Sequence, residues 1–341
     1  MFEAGSGGYH TYRIPALLRL DSGVLLAFAE GRRASASDTG WIDTVLRRSA
    51  DGGRTWGPLQ VVGASPAWPG VTGNPCPVQD RATGRVVLTL CRNRGDGPEA
   101  EILMGRAPRT VWVCHSDDDG ASWSPPREIT DSVKRPDWTW YATGPGHGVQ
   151  LPSGRLVVAC DHALHPRVVG EPADRALELA DTLYRAHLIL SDDGGASWRI
   201  GAVLDVAGTN ESCVALLDGG VYVNSRHHGS AVRHGAWSDD GESLDRTASH
   251  QEMTDPVCQG SALAYRDEIL VCHAAGPGRR RLTVRASGDG ARWRELAVVT
   301  EGPAAYSDLC EVEGRLLCLF ETGIAHAYER IVLVEVIDAS P

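Results

Sequence analysis

The chain has 341 residues, with 33 basic against 44 acidic side chains and a net charge of -11. With no Lys/Arg-rich run, that balance argues against nucleic acid or an anionic membrane surface as partner, and no apolar run approaches the roughly 18 residues of a membrane-spanning helix. The length exceeds one ordinary core, so two domains or one repeat array is expected.

Residues 1–10 lack the basic start and apolar stretch of a signal peptide, so the chain as given reads as cytoplasmic. Nine cysteines, none in a C-x-x-C pair and most inside apolar runs, read as buried free thiols in a reducing compartment. The histidines at 162, 165, 227 and 228 have no metal-site spacing, so no metal or cofactor is expected.

In chain order, the stretch 9–56 comes first. Two apolar runs, Ile14 to Leu20 and Val24 to Phe28, are joined by Asp21-Ser22-Gly23, and a third, Ile42 to Leu46, ends on the turn SADGGRTW at 49–56. This is a β-meander closing on a turn in which Asp bonds backbone two residues on, glycines take positive φ and Trp buries a large apolar surface. The turn returns as SDDDGASW at 116–123 and SDDGGASW at 191–198, then shortened as SDDGESL at 238–244 and SGDGARW at 287–293. A similar hairpin stands upstream of each copy, and a last hairpin, YSDLCEVEGRLLCLFE, has no turn after it.

Six such units predict an all-β, six-bladed β-propeller of four-stranded antiparallel blades, one domain over 1–341 with no appended lectin or targeting domain. Residues 173–187 have partly helical spacing and are expected as a short helix in unit three, and 94–110 as an inserted loop in unit two. In a meander blade the Asp turns share one face, while first-strand starts and second-strand ends share the other. The Asp residues of the turns are therefore read as structural rather than calcium-binding. The opposite face collects Arg13, Asn74, His147, Glu211 and Tyr306 from first strands, and Glu30, Arg32, Asp38, Asp161, Arg226, Arg279 and Glu321 from second strands and their loops. Taken singly, each reads as an ordinary strand-edge or loop residue. Their joint placement at one channel mouth is what points to a ligand site.

These residues carry a resemblance. Tyr12-Arg13-Ile14-Pro15, FAEGRRASASD, NPCP at 74–77, GPGHGVQL at 144–151, NSRHH at 224–228, RRRLTVR at 279–285, AYSDL at 305–309 and LFE at 319–321 together resemble the sialidase (neuraminidase) family, in particular the cytosolic animal enzymes. The resemblance implies that Arg13, Arg226 and Arg279 grip the sialic acid carboxylate, a task suited to planar forks that never lose charge. Arg280 and Arg281 are alternatives to Arg279, and Arg33 to Arg32, the fourth family arginine. Glu321 steadies Arg13, and Asn74 joins the substrate-binding set. Tyr306 is the implied nucleophile, Glu211 its base, and Asp38 the acid that protonates the leaving oxygen and later activates water.

The chain departs from those relatives in holding Gly73 where they have methionine, and Cys160-Asp161-His162 where they have two tyrosines. The departure implies more room beside the N-acyl group, tolerance of the deaminated sugar, and hydrogen bonding by Asp161 and His162, unless Trp138, Trp140 or Tyr141 fills the same space. The implied function is an exo-α-sialidase acting on sialylated glycans by a retaining mechanism. A non-catalytic glycan-binding propeller and a trans-sialidase are the alternatives.

Overall fold

The computed structural model describes residues 1–63, 70–172 and 178–337. Its architecture is all-β and follows the meanders. A short strand β1 (Phe2–Glu3) precedes unit one, which is β2 (Thr11–Arg19), β3 (Leu25–Arg32), β4 (Ile42–Ser49) and β5 (Gln60–Gly63). Unit two is β6 (Gly70–Gln79), β7 (Val86–Arg94), β8 (Arg109–Ser116) and β9 (Arg127–Glu128). Unit three splits its first strand into β10 (Trp138–Thr143) and β11 (Val149–Gln150), followed by β12 (Leu156–Leu164), β13 (Tyr184–Ser191) and β14 (Arg199–Leu204). Unit four is β15 (Thr209–Leu217), β16 (Gly220–His227), β17 (Val232–Ser238) and β18 (Arg246–Thr254).

Unit five is β19 (Ser261–Tyr265), β20 (Glu268–Ala274), β21 (Arg280–Ser287) and the first half of β22 (Arg294–Val312). The second half of β22 then pairs with β23 (Arg315–Thr322), which pairs with β24 (Arg330–Glu335). The outer partner of β24 is β1, so the last unit is completed from the other end of the chain.

Each second strand is an apolar run because it lies inside its sheet with both faces covered; β3 is buried at every position. Consecutive units share one buried apolar cluster each. Leu26, Phe28 and Leu88 join units one and two, and Leu17, Leu25, Leu317 and Ile331 join unit six to unit one. The expected helix over 173–187 is reduced to one turn, Ala180–Leu183, with strand β13 already begun at Tyr184; positions 173–177 lie outside the described residues. The inserted stretch at 94–110 carries a short helix, Glu99–Leu103, whose wall role is described below.

The Asp turns bond within themselves. In the third copy Ser191 Oγ donates to Asp193 Oδ1 at 2.9 Å, and Ser197 donates its backbone N–H and its hydroxyl to Asp193 at 2.8 and 2.5 Å. The indole of Trp198 donates to the Gly195 carbonyl at 3.1 Å and packs into the cluster shared with unit two. Gly195 has φ +88°, and a Cβ there would lie 2.5 Å from Val87 of unit two. Each turn therefore anchors its own unit against the preceding one.

Trp198→Ala is expected to lower the unfolding free energy by about 3–5 kcal/mol, the usual cost of removing a buried large aromatic. Urea unfolding measures it. An unchanged midpoint would show that this turn does not carry the interface.

Candidate functional site

A cavity of about 270 Å³ opens where first strands start and second strands end. First strands deliver their residues through irregularities: the pairing register shifts between Arg13 and Ala16, Gly73 and Cys76, Thr209 and Ser212, and Ala304 and Ser307. Such bulges re-aim side chains out of the ladder. Ile14 and Asn74 sit in them at φ 58° and 54°, a sparsely populated region for non-glycine residues. Of the residues expected from sequence, Arg13, Arg32, Asp38, Asn74, Asp161, Glu211, Arg226, Arg279 and Tyr306 line this cavity.

Two of the cavity arginines are held from behind. Arg13 Nε donates to Glu321 Oε1 at 2.7 Å, and the same carboxylate accepts the backbone N–H groups of Ile14 at 2.8 Å and Tyr306 at 3.2 Å. Burial alone would lower the Arg13 guanidinium, but Glu321 and Tyr306 more than offset it and keep it above its ordinary value. Arg279 Nη1 donates to the Tyr328 hydroxyl at 2.8 Å, while Arg280 is exposed and Arg281 pairs outward with Glu295. Of these three arginines, only Arg279 lines the cavity.

At the floor, Tyr306 Oη donates to Glu211 Oε1 at 2.8 Å and accepts from Arg226 Nη1 at 3.0 Å. Arg226 Nη1 also lies 2.8 Å from Glu211 Oε2, as an ion pair outside hydrogen-bond alignment. Burial raises Glu211 above its ordinary value, with Arg226 and the Tyr306 hydroxyl pulling the other way. The Tyr306 phenol is pushed well up, by burial first and by Glu211, against the pull of Arg226. A single proton can shift between the two oxygens along this 2.8 Å hydrogen bond.

Across the cavity, Arg32 donates to Glu30 Oε2 at 3.1 and 2.7 Å and reaches Asp38 Oδ1 at 2.6 Å, whereas Arg33 turns away to Asp43. Asp38 stands at the mouth with 79% of its side chain open to solvent. Crowding would raise its carboxyl, but Arg32 and then Arg13 outweigh that and hold it below the usual carboxylate value; its exposure screens the effect.

Three expectations are corrected. His162 does not face the cavity. Neighbours along a strand point to opposite faces, and with Asp161 turned inward His162 stacks on Trp138 at 3.5 Å and meets His187 Nδ1 at 3.1 Å. Burial there drives its pKa well below the ordinary value. Gly73 does not open space beside a ligand, because the carboxylate of Glu30 fills it; a Cβ on Gly73 would lie 2.1 Å from Glu30 Oε1. His147 lies at a second cavity, where its Nδ1 meets Asp308 at 2.9 Å.

Sequence reasoning missed Arg109, Asn210, Glu99, Tyr184, His228 and Val257, all cavity-lining. Arg109 Nη2 donates to Asn74 Oδ1 at 2.5 Å, and its guanidinium lies 4.2 Å from the ring centroid of Trp140, one of the three aromatics considered for this wall. Tyr184 donates to Glu99 and stacks on His228. Asn210 was detectable as the residue beside Glu211 at a strand start. Arg109 and Glu99 come from the insertion in unit two, which carries no repeat signal.

A BNR repeat-like domain model matches residues 23–318. The chain is 37% identical to human Sialidase-4 over 281 residues, 78% of this chain and 56% of that protein's length. It is 31% identical to mouse Sialidase-3 over 388 aligned positions, covering 94% of this chain and 90% of the relative. Among solved structures, the Hadza microbial sialidase Hz136 superposes with a TM-score of 0.83 at 25% identity, over 98% of this chain and 67% of that one.

Gly73→Ala is expected to destabilise the fold by about 1–3 kcal/mol through overpacking against Glu30. Urea unfolding reads the effect. A neutral result would mean that the Glu30 carboxylate can leave its place without cost.

Proposed function

Because the chain belongs to the sialidase family, we propose that it is an exo-α-sialidase whose cavity removes terminal sialic acids from glycans with retention of configuration. The observation that carries this reading is the meeting of Tyr306, Glu211 and Arg226 at 2.8–3.0 Å beneath two further guanidiniums. Three arginines at one wall suit a carboxylate. A tyrosine bonded to a glutamate suits attack on a carbon that already bears that carboxylate, where an anionic nucleophile would be repelled.

In the first step Tyr306 Oη bonds to the anomeric carbon as its proton passes to Glu211 Oε1. The bond to the aglycone breaks, its electron pair stays on the glycosidic oxygen, and Asp38 supplies that oxygen's proton. Water then attacks the same carbon, giving a proton to Asp38, while Tyr306 leaves and recovers its proton from Glu211. The arginine field that depresses Asp38 in the open site weakens once the substrate carboxylate sits among the guanidiniums and the sugar excludes water. Binding thereby favours the protonated acid that the first step consumes. Asn74 completes the sugar contacts in this reading.

The same reading takes the six units as blades of a closed six-bladed propeller. Buried clusters between each consecutive pair, unit six with unit one included, support it, as does the completion of unit six by β1. All nine cysteines are free and buried, which supports a reducing compartment.

Release of the fluorophore from a fluorogenic sialoside tests the activity. Tyr306→Phe is expected to cut turnover by orders of magnitude while a sialic acid analogue still binds. Near-normal turnover would remove Tyr306 from the nucleophile role.

Arg279→Ala is expected to weaken analogue binding by about 2–5 kcal/mol, as for loss of one partner of a buried charge pair. Arg280→Ala, at an exposed position, is expected to leave binding nearly unchanged; calorimetry compares them, and equal small effects would mean that the third clamp lies elsewhere.

A further inference from the structure

Three buried carboxylates occupy corresponding places at the ends of second strands: Glu30 on β3, Asp161 on β12 and Glu321 on β23. Two are fully engaged. Glu321 holds Arg13 and two backbone N–H groups, and Glu30 holds Arg32 and the N–H of Asn74 at 2.9 Å. Asp161 is not. It is completely buried, and among the described residues it accepts only Asn210 Nδ2 at 3.1 Å on Oδ2 while Oδ1 has no partner. Unit one places Arg32 two residues beyond its glutamate on the same strand face, whereas unit three places Ala163 there.

The hydrogen bonds fix where a proton belongs. Arg226 can only donate, and its Nε reaches Asn210 Oδ1 at 2.6 Å, so the amide oxygen of Asn210 faces Arg226 and its NH₂ faces Asp161. Asp161 Oδ2 must then be an acceptor. The other oxygen, buried without a partner, would carry an uncompensated charge at a cost of several kcal/mol if ionised; a proton on Oδ1 removes that cost and makes it a donor on a cavity-lining residue.

We propose that Asp161 is a positioning residue that works in its uncharged form, holding Asn210 and through it Arg226 against Tyr306 and Glu211. The proposal rests on the active-site reading above. Its surroundings agree: burial first, then Glu211, drives the Asp161 carboxyl well above the ordinary value, Arg226 and Arg109 pull it down, and Glu99 pushes it up again. Tyr184, Tyr141, Cys160 and Cys91 also face it, and each is itself raised by burial and so neutral. Ionisation at high pH would set a second negative charge near Glu211, the partner of the Tyr306 hydroxyl, and leave Oδ1 as an unpaired buried anion. A carboxyl whose folded value exceeds its unfolded value gives its full stability below the unfolded value and loses it as pH rises through the folded one.

The test compares the wild type with Asp161→Asn, which keeps one acceptor and one donor without charge, and with Asp161→Ala. At neutral pH the infrared difference spectrum, wild type minus Asp161→Asn, is expected to contain the carbonyl stretch of a protonated carboxylic acid. Its absence would overturn the proposal without reference to turnover. In kcat/KM against pH for a fluorogenic sialoside, Asp161→Asn is expected to lose less than about tenfold and to extend the alkaline limb, and Asp161→Ala to lose more than about tenfold. The urea midpoint of the wild type is expected to fall with rising pH relative to Asp161→Asn. Equal loss in both variants, or an unmoved alkaline limb, would overturn the positioning role. A wild type that shows the infrared band but no sialoside turnover would instead overturn the active-site reading.

Discussion

One buried carboxylate holds the pocket to its scaffold. Glu321 joins a side chain from unit one, Arg13, to the backbone of both Ile14 and Tyr306, so the arginine and the tyrosine share a single anchor. Neither backbone N–H has a ladder partner, because each stands in a bulge where pairing lapses. A buried donor left that way would cost about 1–3 kcal/mol, and the carboxylate removes that cost while its own charge is met by Arg13. Glu30 repeats the device one unit on, with Asn74 as the backbone donor and Arg32 as the cation. The irregular backbone that aims these side chains is thus stabilised by the groups that tune them.

The two ends of the strands divide the labour. At one end, the Ser-Asp turns bond within themselves and press Trp and Gly against the preceding unit, so that end is tied down. At the other, the strands give up regular pairing and present charge to a cavity. Rigidity at one end permits irregularity at the other. Distances of 2.6–3.0 Å among Tyr306, Glu211, Arg226 and Asn210 are maintained because the strands that carry them are fixed at their far ends.

Much of this was legible in the sequence, for a physical reason. A repeated turn sets the phase of every strand, and phase assigns strand starts and ends to a face; Arg13, Asn74, Glu211 and Tyr306 follow from counting. What failed was finer than a strand. His162 is adjacent to Asp161 and so points to the opposite face, and the stacking partner that claims it, Trp138, lies on another strand. Gly73 looked like missing bulk, yet the bulk comes from Glu30, 43 residues earlier, so no local pattern could reveal it. Arg109 and Glu99 enter from an insertion, and an insertion has no place in a repeat.

The pairing of β1 with β24 has a consequence for how the molecule comes into being. Arg13 and Glu321 are 308 positions apart, and the last unit lacks its outer strand until the first residues of the chain return to it. Contacts between such distant segments bear the largest loop-closure entropy and form late in folding. As the chain emerges, units one to five can assemble on their neighbours, but Arg13, Tyr306 and Glu321 come together only once unit six has emerged and met unit one. The cavity is therefore incomplete in a growing chain, and its walls come together only when units one and six meet.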